Sequence, residues 1–122
     1  MSQCQRYVVT VTTDADGNAV AYSPVLTGLL SRIRYVKSDF ADGVDFTITS
    51  EATGESLWTE TNVNASASRA TRQLIYTDTG SSIAYAATFG VYEKIALAVD
   101  RIKISIASGG NAKSGTFHLI LE

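Results

Sequence analysis

One cysteine, Cys4, in 122 residues excludes an internal disulfide and any metal site built on several thiolates. One histidine, His118, excludes a multi-histidine metal site and any mechanism that needs two imidazoles. Charge is also scarce: 18% of residues carry it, and ten Lys and Arg against twelve Asp and Glu leave a net charge of −2. That balance argues against a dedicated nucleic-acid binder, whose face and net charge are usually basic. No apolar run approaches the ~20 residues of a membrane-crossing helix, so no membrane partner is expected. The opening residues 1–6 are polar and lack the apolar stretch of a secretory leader, so synthesis in a host cytoplasm is expected.

Ser, Thr and β-branched or aromatic residues fill the space that these scarcities leave. Ser and Thr make up 27 of the 122 residues, nine are Gly, and Pro24 is the only proline. Such a chain suits pleated, half-buried strands joined by glycine turns. Residues 6–13 read as a strand, Asp16-Gly17 as a hairpin turn, and residues 19–23 as the returning strand, ended by Pro24. Residues 28–37 form the next strand, with a bulge expected near Arg32. Residues 45–49 alternate with Phe46 and Ile48 on one face, and residues 50–55 turn the chain back toward Trp58, a core or edge anchor. The small polar stretch 62–73 reads as an extended loop, 77–82 as a turn-rich loop, and 85–91 gives no clear pattern. Residues 101–106 and 116–121 are strictly period two on either side of a Gly-rich loop. They are expected to pair as a hairpin with Ile102, Ile104, Ile106, Phe117, Leu119 and Leu121 facing in. Eight or nine short strands in one domain, residues 1–122, predict an all-β antiparallel sandwich of jelly-roll-like character, with 1–6 as an N-terminal arm.

No constellation in the chain carries chemistry. Asp14, Asp16 and Asn18 resemble the start of a calcium loop, but the later bidentate acid is missing, and an Asp-Gly turn accounts for them. Asp39, Asp42 and Asp45 would suit Ca²⁺, yet Asp is common in loops because it caps local N–H groups. His118 has no Ser or Asp in a triad order, and residues 108–115 lack the spacing of a phosphate loop. The expectation is no enzyme, no metal and no cofactor. Arg32 and Arg34, two apart on one strand face, suggest with Lys37, Arg69 and Arg72 a basic patch for an acidic partner protein.

Residues 44–49 with 51–54, then 61–67, then 101–104 with the Gly109-Gly110-Asn111 turn and Phe117, resemble small virion proteins of tailed bacteriophages. The similarity spans most of the chain from Tyr7 onward and lies in turns and strand edges, not in a catalytic motif. It implies a structural role in the virion, as a capsid decoration or cement protein bound to other virion proteins, the major capsid protein above all, and to copies of itself. A minor tail protein is the variant of that reading. The alternative from a different class is a carbohydrate-binding sandwich that stacks sugars on an exposed Trp58 and tyrosines. The resemblance carries over no site residues. The interface candidates come from arm, loops and arginines: Gln3, Gln5, Arg6, Phe40, Asp42, Asn64, Arg69, Arg72, Asn111 and Lys113.

Overall fold

The structure is a computed structural model and describes residues 4–74, 76–81, 84–86, 89–90 and 92–122. The strands, in chain order, are β1 (Gln5–Thr12), β2 (Ala19–Tyr22), β3 (Leu26–Val36), β4 (Val44–Ser50), β5 (Ser56–Val63), β6 (Ala67–Arg69), β7 (Arg72–Leu74), β8 (Ala84–Ala86), β9 (Phe89–Gly90), β10 (Tyr92–Asp100), β11 (Ile102–Ala107) and β12 (Ser114–Leu121). One sheet runs β1-β12-β3-β10-β7, with β6 also paired to β3, and the other runs β2-β11-β4-β5. Every pairing is antiparallel, and β8 with β9 makes a separate two-stranded ribbon. The all-β sandwich is as expected. Its two main sheets hold ten strands rather than eight or nine, because the stretch read as a loop contains β6 and the start of β7.

The inner faces follow the period-two pattern. Val9 and Val11 of β1, Ile33 and Tyr35 of β3, Phe117, Leu119 and Leu121 of β12 point inward from one sheet. Phe46 and Ile48 of β4 and Ile102, Ile104 and Ile106 of β11 meet them from the other. An aromatic cluster fills the middle: Phe46 stands edge-on to Tyr35, Phe117 and Trp58 at 4.7, 5.1 and 5.4 Å between ring centres. Such edge contacts favour the ring quadrupoles and add ~0.5–1.5 kcal/mol each beyond area burial.

The connections depart from the sequence reading in one consistent way. β11 and β12 do not pair with each other: β11 lies between β2 and β4, and β12 between β1 and β3. The Gly-rich loop between them arches from one sheet to the other. Likewise the 14–18 turn forms, with the Asp14 carboxylate accepting the Asp16 and Asn18 N–H groups, but it links β1 to β2 across the sandwich instead of within one sheet. An arch and a hairpin bury the same alternate residues, which is why the faces were right and the partners wrong. Gln5 and Arg6 are not part of an arm, since they pair with Leu121 and Ile120 in β1. Residues 1–3, with the candidate Gln3, lie outside the described residues.

Candidate functional site

Most of the interface candidates serve the fold. Phe40 is a correction: its ring is 2% exposed, stacked on Tyr35 and closed over by the arch at Gly115, so it belongs to the core. Its neighbours in sequence are Asp39 and Ala41, and no periodicity marks it as an inward residue. Asp42 pairs with Lys37. The Asn64 Oδ1 accepts the Gly43 N–H at 2.7 Å. Gln5 accepts the Tyr7 hydroxyl at 2.9 Å. Asp39 accepts the Ser114 N–H, Asp45 accepts the Asn62 N–H, and Asp42 holds Lys37, so the three loop carboxylates are each turned to a different local donor. The Ser114 N–H, helped by its hydroxyl and the Lys113 charge and opposed by desolvation, holds the Asp39 carboxyl below the ordinary carboxylate range.

Arg69 and Arg72 are structural side chains. Arg69 of β6 grips Glu60 of β5 with two bonds of 2.8 Å and lies over the Trp58 ring at 5.6 Å, clasping the two sheets along one side of the sandwich. That grip lowers the Glu60 pKa. Arg72 donates to the carbonyls of Ser31 and Thr71, both at 2.7 Å. Trp58 itself is 6% exposed and gives its indole N–H to Glu60, so it offers no stacking platform to a sugar. Asn111 and Lys113 are exposed on the arch before β12.

What the structure does bring together is a set of basic residues on the outer face of the six-stranded sheet. The pairing aligns Arg6 with Ile120 and Ile120 with Arg32, then Val8 with His118 and His118 with Arg34. Arg6 and Arg32 therefore flank Ile120 at roughly 10 Å, two strand spacings, and Arg34 follows Arg32 at roughly 7 Å. The outward aim of the two β3 arginines depends on a bulge. Register slips between Ile120–Arg32 and Leu121–Leu30, leaving Ser31 as an extra residue. Leu30 and Ile33 both point in as a result, and Arg32 and Arg34 are exposed. Thr71 and Arg72 hold the bulge by bonding the Leu30 and Ser31 carbonyls.

Among the described residues, Arg6, Arg32 and Arg34 take part in no ion pair or side-chain hydrogen bond, whereas Arg69, Arg72 and Arg101 all do. The carboxylate of Glu122, just after β12, is engaged by Lys94. The sequence shows Arg32 and Arg34 as a pair by their spacing; Arg6 joins them only through the register of β1 on β12. Tyr7 of β1 packs against the core and Tyr35 of β3 is buried within it, while Tyr92 of β10, in the same sheet, is 59% exposed. No protein-family model matches the chain, and a search of curated proteins found no match.

Proposed function

We propose that this chain is a structural protein of a tailed-phage virion, most simply a decoration of the head that docks on an acidic surface of its shell. The observation that supports this reading is the concentration, on one sheet face of a chain whose net charge is −2, of arginines that take part in no ion pair among the described residues. A face of that kind steers toward an acidic partner and fixes its orientation. A protein partner is the reading taken over a nucleic acid, because a net charge of −2 is not that of a dedicated nucleic-acid binder. Repetition of the shell surface makes a modest contact strong by avidity. A sandwich held by a continuous core and arched connections suits such a static role. The sugar-binding alternative loses its platform with the burial of Trp58.

Co-sedimentation with purified phage shells tests the proposal. Binding is expected, weakening as salt rises, and Arg32→Glu with Arg34→Glu is expected to lower affinity at least tenfold while leaving the melting temperature within a few degrees. A chain that ignores shells and tail tubes alike, or one whose binding the double variant leaves unchanged, defeats this reading. Tighter binding to single-stranded DNA than to shells would move the face to a nucleic-acid role.

A further inference from the structure

We propose that β1 is an association edge, through which two copies of this chain pair antiparallel about a two-fold axis and join their six-stranded sheets into one. The inference extends the reading of the chain as an assembling protein by naming the contact between its copies.

A free strand edge exposes a row of N–H and C=O groups that accepts another strand, and proteins normally guard such edges with short strands, prolines, lysines, bulges or a cover. The edges of this sandwich differ in that respect. β2 is four residues long and followed closely by Pro24. β6 and β7 are three residues each. β5 is interrupted by two register shifts against β4, and the Arg69–Glu60 clasp crosses beside it. Among the described strands β1 alone has none of these devices: eight residues run in unbroken register with β12 and contain neither proline nor lysine. Among the described residues no other strand pairs with its outer side, and Val8 is 51% exposed beside it.

The composition of β1 suits a second copy of itself. Side chains directly opposite across an antiparallel pair share a face, so a two-fold axis passes through a residue of β1. With the axis at Val9, Arg6 faces Thr12 of the partner and Val8 faces Thr10. With the axis at Val8, Arg6 faces Thr10 and Val8 meets its own copy. Neither register sets like charges opposite, and both set Val or Thr, good strand formers, across the seam. The axis stands perpendicular to the sheet, so the outer faces of both copies lie on one side. Arg6, Arg32 and Arg34 of each copy then form a single wider basic surface. An isologous contact of this kind closes at two subunits, the commonest symmetry for identical chains.

Sedimentation velocity across the micromolar range gives the first readout, and a concentration-dependent dimer is expected. Val8→Lys with Thr10→Lys places like charges opposite in either register, on exposed positions, and is expected to weaken dimerisation at least tenfold. The matching Val8→Glu, Thr10→Glu chain is expected to be monomeric alone and to form a mixed dimer with the lysine chain. A spin label on the single cysteine, Cys4, supplies a readout from the unaltered strand: at 3.4 Å per residue the two labels should lie roughly 27 Å apart for the Val8 axis or 34 Å for the Val9 axis. A monomeric intact chain, a dimer indifferent to both charge variants, or a label separation under about 20 Å, shorter than either register allows, would falsify the β1 edge. Shell binding by a chain that fails these tests would leave the decoration reading standing without this contact.

Discussion

Tyr35 shows what a single atom costs in this core. Its ring is fully buried among Phe40, Phe46 and Phe117, and its hydroxyl has no hydrogen-bond partner among the described residues. Burial, with the nearby Asp39 and Asp42 charges, pushes its pKa up to about 12. A buried, unsatisfied hydroxyl costs roughly 1–3 kcal/mol. Tyr35→Phe keeps the ring and removes the oxygen, so thermal melting should show unchanged or higher stability, by up to ~2 kcal/mol. The alkaline side has a defined sign. The native form holds its proton to higher pH than the unfolded chain, whose tyrosines ionise near pH 10, so stability falls as pH rises from about 10 toward 12. The Phe variant should lose less there. A drop of more than ~1 kcal/mol at neutral pH would mean that the hydroxyl is bonded after all. Gly115 makes the opposite point about space. A Cβ at that position would stand 2.5 Å from the Phe40 ring, so Gly115→Ala forces the ring or the arch to move and should cost ~1–3 kcal/mol in denaturant unfolding.

Elements in this fold are set by parity, and the Ser31 bulge is where parity changes. Leu26 and Leu30 point inward before it, Ile33 and Tyr35 after it. Deleting Ser31 would leave Leu30 next to Arg32 in plain alternation, with Leu30, Ile33 and Tyr35 still in and Arg32 and Arg34 still out, in unbroken register with β12. What the deletion removes is the Ser31 carbonyl that accepts the Arg72 guanidinium, so circular dichroism should find the variant folded, at a cost of about 1–3 kcal/mol. An unfolded deletion variant would show that β3 needs the bulge itself and not only the parity it keeps. The same parity explains what can be read from sequence and what cannot. Alternation placed Phe46, Ile48, Ile102, Ile104, Ile106, Phe117, Leu119 and Leu121 on inner faces, and all are buried. Alternation says nothing of which strand lies alongside, so the 108–113 arch read as a hairpin, and the Asp16-Gly17 turn likewise. Phe40, alone in an acidic loop, has no period to announce it. Arg32 and Arg34 are visible as a pair by their spacing, but the basic surface needs Arg6 from a strand reached through β12, a neighbour that only tertiary pairing supplies.

At the scale of the whole molecule, the sheets are tied to each other by carboxylates as well as by the core. Asp100, 7% exposed at the corner between β10 and β11, accepts bonds from the Ser50 hydroxyl and from the Ala52 and Arg101 N–H groups, joining one sheet to the β4–β5 turn of the other. Burial pushes its carboxyl up, but those three bonds outweigh burial and leave its pKa below the ordinary value. Glu60, gripped by Arg69, is lowered likewise and also joins the two sheets, while Asp39 ties the β3–β4 connection to the start of β12. The direction of the linkage follows from these depressed values. Above the ordinary carboxylate range of about 3.9–4.3 all three groups are ionised in folded and unfolded chains, and their stabilisation is complete. As pH falls below that range, the unfolded chain takes up protons first, and stability declines until the native groups protonate in turn. The joints between the sheets thus weaken in acid while the apolar core, which does not titrate, stays intact. Denaturant melts from pH 7 to pH 2 should show a plateau down to about pH 4.5 and then a fall. Asp100→Asn should lower stability at pH 7 by ~1–3 kcal/mol, because an amide cannot accept all three bonds as the carboxylate does. It should also flatten the acid limb, since one of the groups that drives the fall is gone. A variant whose acid limb keeps the parent's slope would mean that Asp100 contributes by packing rather than by its charge.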